Sequence, residues 1–437
     1  MKELQNILQR YQQHSSDDCP FALATVVNTQ GSVYRRAGAK MLVQPNGART
    51  GTISGGCLEN DICSQAQLVL ETGQPLLASY DAIANEDILW GLGIGCNGKV
   101  DVLIEPLVSG DLFNPLDFVE TCLSQRRSGL LATVFQSEDE TIAPIGAHLL
   151  YYPSGKVADN LPDSRLREQI LQDAQTAQRL GQSVVKEYSF SPGGELNANA
   201  LTVKDLTVKD LTVKDLTVKV LIEIILLPTP LVIFGAGQDA MPVASFAKAL
   251  GWEVTVVDRR AAYATADRFP TVDRIIVADA ETSINQLGLS RNTVAIVMTH
   301  DYFDDRDVLK MLLPSAVGYI GQLGPYHRTQ RLLQDLSETG VTFSETQLQR
   351  LHAPVGLDIG ADTPEEIALS ILAEIRAVLA SRTGGFLRDR PGSIHPRDRE
   401  LKADEKRDKK RELTSTPEPK FEPNPTPQSK RLWAARV

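Results

Sequence analysis

Leu231-Val232-Ile233-Phe234-Gly235-Ala236-Gly237-Gln238-Asp239-Ala240 reads as a buried strand that turns on two glycines directly into a helix. The helix is expected over Met241–Leu250. Gly251 ends it, and a second strand follows, Glu253–Val257, closing on Asp258. Asp258 stands 21 residues beyond Gly237. A G-x-G-x-x-A turn between strand and helix, with an acid at that distance, is the dinucleotide fingerprint. Gly235 makes the turn, Gly237 lets a pyrophosphate approach, Gln238 opens the helix whose N–H groups face the phosphate, and Asp258 meets a ribose hydroxyl. Arg259 and Arg260 leave room for a 2′-phosphate as well.

Downstream the alternation continues. Strands are expected at Arg274–Val277, Thr293–Met298 and Gly318–Ile320, with a helix from about Asp304 to Leu313. This is the pattern of a doubly wound parallel sheet. Thr299-His300-Asp301 falls at the carboxyl end of one strand, where such sheets bind ligands, so His300 is a candidate acid, base or hydrogen-bond donor. Asp301, Asp304 and Asp305 read first as a cap and first-turn charges of the next helix. Gly321-Gln322-Leu323-Gly324 is another glycine turn. After the loop His352–Gly360, a last helix opens with Thr363 as cap, Pro364 in its first turn and Glu366 placed for a capping box, and runs to about Ser381. From about Arg388 charge and proline dominate, a composition expected to be disordered.

Upstream, a helix over 4–13 precedes strands at Phe21–Thr29 and Met41–Gln44, and the loop between the strands carries Arg35 and Arg36 among small residues. Gly51-Thr52-Ile53-Ser54-Gly55-Gly56-Cys57-Leu58-Glu59 then presents a cysteine just before a helix that extends to about Thr72. A thiol at a helix N-terminus is biased toward thiolate, so Cys57 is a candidate for chemistry. A second glycine loop, Gly91–Gly98, carries Cys96 and leads into a strand, Val100–Ile104. Two soft sulfurs, if brought together, suit a soft atom such as sulfur or molybdenum.

An offset of 108 residues lays the first part of the chain on the second. Leu23-Ala24-Thr25-Val26 matches Leu131-Ala132-Thr133-Val134, Gly38-Ala39 matches Gly146-Ala147, and Tyr80 matches Tyr188. The repeats, about 20–107 and 128–225, end on Val102-Leu103-Ile104-Glu105 and Val220-Leu221-Ile222-Glu223, now 118 apart. The extra ten residues equal two copies of the pentad Leu201-Thr202-Val203-Lys204-Asp205, which recurs to residue 220 as an expansion and cannot form one half-buried strand. Opposite Ser54-Gly55-Gly56-Cys57 the second repeat has Pro162-Asp163-Ser164-Arg165. The scaffold is doubled and the cysteine turn is not.

The chain therefore reads as an N-terminal α+β domain built by duplication (1–227), a Rossmann-like domain (228–383) and a tail (384–437). Net charge is -10, made of +5 on residues 384–437 and -15 on the rest, which argues against nucleic-acid binding by the body. Five scattered cysteines without CxxC pairs suggest neither a disulfide framework nor a structural zinc site. No apolar run is long enough for a membrane span and no signal sequence is evident, so a cytoplasmic protein is expected.

These motifs together resemble the XdhC/CoxI family, the accessory factors of xanthine dehydrogenase and related molybdenum hydroxylases. The resemblance runs through Gly31-Ser32 with Arg35, Ser54-Gly55-Gly56-Cys57 with Glu59, Gly95-Cys96 with Gly98, Phe234-Gly235-Ala236-Gly237, Thr299-His300-Asp301, and Ala353-Pro354-Val355-Gly356-Leu357-Asp358-Ile359-Gly360. Tyr34 departs from the family's usual proline, and Pro325-Tyr326-His327-Arg328 from its usual serine and basic residues. The resemblance implies a chaperone that binds the molybdenum cofactor, protects it while a cysteine desulfurase supplies the sulfido ligand, and delivers it to an apo-hydroxylase. On that reading Cys57 and Cys96 contact the metal or its sulfur, Gly55, Gly56 and Arg35 line the site, and Gly235, Gly237, Gln238, Asp258, His300 and Asp301 hold a nucleotide or the pterin phosphate. The alternatives are an NAD(P)-dependent oxidoreductase with His300 as proton-transfer group, and an NAD(H)-sensing module. A homodimer is a further expectation.

Overall fold

The computed structural model describes residues 1–14, 20–31, 33–81, 98–108, 110–190, 196–199 and 216–389. Cys19, Cys96, the pentads at 201–215 and the tail beyond 389 lie outside them. Residues Met1–Gly384 make one compact unit and Gly385–Val437 a second, so the expected boundary at 227/228 falls between sheets of a single unit. Of the second unit, the described part holds one short 3₁₀ turn, Leu387–Asp389.

The first sheet is antiparallel and contains β1 (Phe21–Gly31), β2 (Lys40–Val43), β3 (Arg49–Gly51), β4 (Leu76–Asp81) and β5 (Gly98–Leu107), in the order β3-β2-β1-β5-β4. The second contains β6 (Leu130–Ser137), β7 (His148–Tyr151), β8 (Val157–Asp159), β9 (Val184–Phe190), β10 (Leu196–Asn199) and β11 (Leu216–Ile224). Its order, β8-β7-β6-β11-β9-β10, is the same topology with one edge strand added. Each repeat also has a helix before its first strand, Lys2–His14 and Pro115–Ser124, and one between its third and fourth strands, Glu59–Thr72 and Ser164–Leu180.

Strand alternation explains the layering. In β1, Ala22, Ala24 and Val26 face Ile62, Ala66 and Val69 of the intervening helix. In β6, Ala132 and Val134 face Leu166, Ile170 and Ala174. The opposite faces meet back to back, where Val27, Leu103, Phe135 and Leu221 form a buried cluster flanked by Ala37, Leu77, Ile145 and Val185. Every member has its repeat mate in the same cluster, 108 or 118 residues away. Val27 and Phe135 are the extra residues of matching β-bulges against β5 and β11, and a bulge re-aims its side chain. Burying such side chains is worth about 1.5–3 kcal/mol each.

The third sheet is wholly parallel, with β12 (Pro230–Phe234), β13 (Glu253–Asp258), β14 (Arg274–Val277), β15 (Val294–Val297), β16 (Tyr319–Gln322) and β17 (Leu351–His352) in the order β14-β13-β12-β15-β16-β17. Helices Ala240–Ala249 and Pro364–Leu379 cover one face, and Tyr302–Leu312 and Tyr326–Glu338 the other. Thr363 and Glu366 form the expected capping box. The strand order reverses between β12 and β15, which opens a crevice at their carboxyl ends. The N-terminal half abuts the other end of this sheet. The backbone of Lys2 lies against Gly251, and Gln5 Nε2 donates to Gly251 O at 3.3 Å.

Candidate functional site: two glycine turns at opposite ends

At the crevice, Gly235 has φ +114°, and a Cβ there would fall 2.3 Å from Met298 O. Glycine is required to let β12 cross the end of β15. A Cβ on Gly237 would meet Asp239 Oδ1 at 2.6 Å and the His300 ring at 3.5 Å. Asp239 precedes the helix Ala240–Ala249 but makes no capping hydrogen bond. Its carboxylate is held instead by His300 Nε2 at 2.7 Å. His300 adopts φ +63°, an uncommon backbone state for a residue other than glycine. The two face each other across the glycine turn, and Gln238 beside them is exposed.

Asp258 is buried and its acceptor positions are filled. It takes N–H groups from Ala236 at 2.8 Å and Arg260 at 2.9 Å, and the Arg260 guanidinium at 2.9 and 2.7 Å. Burial pushes its carboxyl up, but the Arg260 guanidinium and the two N–H groups outweigh that and hold it below the ordinary value. A ribose hydroxyl reaches Asp258 only by displacing Arg260. Asp301 caps the helix Tyr302–Leu312, accepting from Phe303 and Asp304 N–H. Beside the glycine turn a cavity of about 470 Å³ is lined by Phe234, Asp258, Arg259, Thr299 and Asp304 among others.

Asp305, read from the sequence only as a helix charge, is the buried anchor of this region. Thr299 Oγ1 (2.6 Å), Gln322 Nε2 (3.1 Å) and Arg328 Nη2 (2.7 Å) all converge on it. It ties the ends of β15 and β16 to the next helix, and its place on the inward side of the helical turn is the signal that sequence periodicity offered.

At the other glycine turn, Cys57 is exposed and stands just before the helix Glu59–Thr72. The turn is held from inside by Glu59, whose carboxylate accepts the N–H groups of Ile53 (3.2 Å) and Ser54 (2.8 Å) and the Ser54 hydroxyl (2.5 Å). Burial pushes the Glu59 carboxyl up, and these donors bring it below the ordinary value. Ser54 Oγ in turn accepts from Gly56 and Leu58 N–H. Among the described residues beyond its chain neighbours, no atom lies within 4 Å of where a Cβ on Gly56 would sit, so these leave the backbone beside Cys57 open. Arg35 is committed to Glu3, which also accepts Thr52 N–H at 2.8 Å.

The two turns do not meet within one chain. Through Glu3 the Cys57 turn belongs to the start of the first helix, which abuts Gly251 at the amino end of β13, whereas His300 and Gly237 sit at the carboxyl ends. The helix Pro364–Leu379 runs between those ends, and its 16 residues span about 24 Å. Among the described residues no group of three or more His, Cys, Asp or Glu could hold a metal ion, and no helix is long and apolar enough to cross a membrane.

Fold and site together define a two-part protein in which a duplicated antiparallel scaffold, bearing the exposed Cys57, adjoins a Rossmann-type crevice. Residues 231–375 match the XdhC Rossmann domain, and residues 15–81 and 122–189 match the XdhC and CoxI family. The chain belongs to the XdhC and CoxI family. It is 32% identical over 354 residues to a Bacillus subtilis protein named as a probable subunit of xanthine dehydrogenase, covering 81% of this chain and 91% of that one. It is 24% identical to the molybdenum cofactor insertion chaperone PaoD of Escherichia coli, covering 82% of each. A crystal structure described as a xanthine dehydrogenase from Bacillus halodurans superposes with a TM-score of 0.66 at 28% identity, covering 90% of this chain and 98% of that one.

Proposed function

We propose that the chain is an accessory factor that binds the molybdenum cofactor, holds it while a cysteine desulfurase supplies the sulfido ligand, and hands it to an apo molybdenum hydroxylase of the xanthine dehydrogenase type. The observation that carries this reading is the exposed Cys57 on a turn braced by Glu59 and present in one repeat only. A soft sulfur beside open glycine backbone suits a molybdenum–sulfur cargo. Relatives named for xanthine dehydrogenase and for molybdenum cofactor insertion support the same class of task.

The crevice supports a second ligand. The Gly235–Gly237 turn, the helix behind it and the adjoining cavity suit a nucleotide phosphate and its nucleoside. The His300–Asp239 pair favours keeping an NAD(P)-dependent oxidoreductase as the competing reading. Titrating molybdopterin and NAD(P)(H) in parallel against the full-length chain separates the two. Binding of molybdopterin without turnover of any alcohol or carbonyl supports the chaperone, and nucleotide-dependent turnover without molybdopterin binding overturns it.

A further inference from the structure

The two repeats differ in one buried electrostatic detail. In the first, Lys40 Nζ donates to both oxygens of Glu223, at 2.8 and 2.9 Å, and Arg35 pairs with Glu3. Two cations thus meet two carboxylates. In the second, 108 residues on, His148 stands for Lys40 and Ala143 for Arg35, while Glu105 is the mate of Glu223. His148 Nε2 meets only Glu105 Oε2, at 2.7 Å. The other Glu105 oxygen has no hydrogen-bond partner among the described residues, although the side chain is only 7% exposed. Ala143 supplies no charge where the first repeat has Arg35.

A cavity of about 240 Å³ lies at that point, lined by Glu105, Asp111, Asn114, Gly146, His148 and Asn160 among others. Asn160 is the repeat mate of Thr52, whose N–H Glu3 accepts, so the cavity borders the counterpart of the place where Glu3 and Arg35 pair in the first repeat. Asp111 adds a second carboxylate to its lining. At its mouth Val108 and the neighbouring Leu112 are 59% and 78% exposed, which suits contact with a polypeptide.

We infer that this cavity receives an arginine side chain from a partner polypeptide, whose guanidinium takes the place in the second repeat that Arg35 takes in the first. A planar fork of donors matches two carboxylates better than a point charge does. This inference does not depend on the cofactor reading.

The test uses the full-length chain and calorimetric or NMR titration with acetyl-Gly-Arg-Gly-amide, its citrulline counterpart as a neutral isostere, and free argininamide. Saturable binding of the arginine tripeptide is expected, with none of the citrulline form. His148→Lys, which copies the first repeat and claims both Glu105 oxygens, should lower affinity about tenfold or more, and Asp111→Asn, at an exposed site, about fivefold. Equal binding of the citrulline peptide, or unchanged affinity in Asp111→Asn with an unchanged melting curve, overturns the proposal. Binding of argininamide without the tripeptide overturns the docking role.

Discussion

Apart from the second repeat's added edge strand and pentad insertion, the two repeats share strand order, helices, bulges and the back-to-back cluster, yet they differ in the Cys57 turn and in the charges beneath the sheets. What both copies keep is what the scaffold needs in order to fold. What one copy has and the other lacks is separable from folding. On the proposed function, chemistry belongs to the first repeat, and on the further inference the second offers a cation position to a partner.

The largest expected effect tests the buried charges. Lys40→Ala leaves Glu223 buried without its partner and should cost about 3–5 kcal/mol, read from urea unfolding. His148→Ala should cost distinctly less, because Glu105 already faces a cavity. Equal losses would erase this difference between the repeats.

Glu59→Gln comes next. It removes the charge that gathers Ile53 and Ser54, for about 1–3 kcal/mol, and frees the cysteine turn. Because the folded-state pKa is lowered from 4.5, the stabilisation is present above that value and is lost as pH falls through the lower, folded value. A wild-type unfolding series below pH 5 should therefore lose stability that Glu59→Gln does not lose.

A smaller effect probes what the repeats share. Tyr80 donates to Asp61 at 2.6 Å and Tyr188 to Asp173 at 3.0 Å, each joining a strand to its repeat's helix. Tyr80→Phe and Tyr188→Phe should each cost about 1 kcal/mol, and by similar amounts. A loss confined to one would show that the scaffold is not equivalent.

Much of this was legible in the sequence because it is local. The glycine turn at 235–237, the capping box at Thr363 and the duplication are patterns within a few residues or at one fixed offset. The pairing of Lys40 with Glu223 was not, since 183 residues separate them and only the stacking of the sheets brings them together. Asp258 fitted the ribose role by spacing, but the turn that returns Arg260 onto it depends on three-dimensional geometry. The helix Tyr326–Glu338 leaves little periodic signal because its sequence is mostly polar, with Leu332 and Leu336 as its buried apolar anchors. The separation of Cys57 from His300 could be seen only once the first helix was placed against Gly251.

On the proposed function, the exposed Cys57 of the first repeat, and not the scaffold, holds the cofactor. Cys57→Ser should leave stability within about 0.5 kcal/mol, since the thiol is exposed, yet lower the molybdenum cofactor retained by the purified protein. The decisive measurement is molybdopterin binding to the Cys57→Ser, Cys96→Ser double variant. Loss of binding with an unchanged fold is expected, and full retention would contradict a cysteine role.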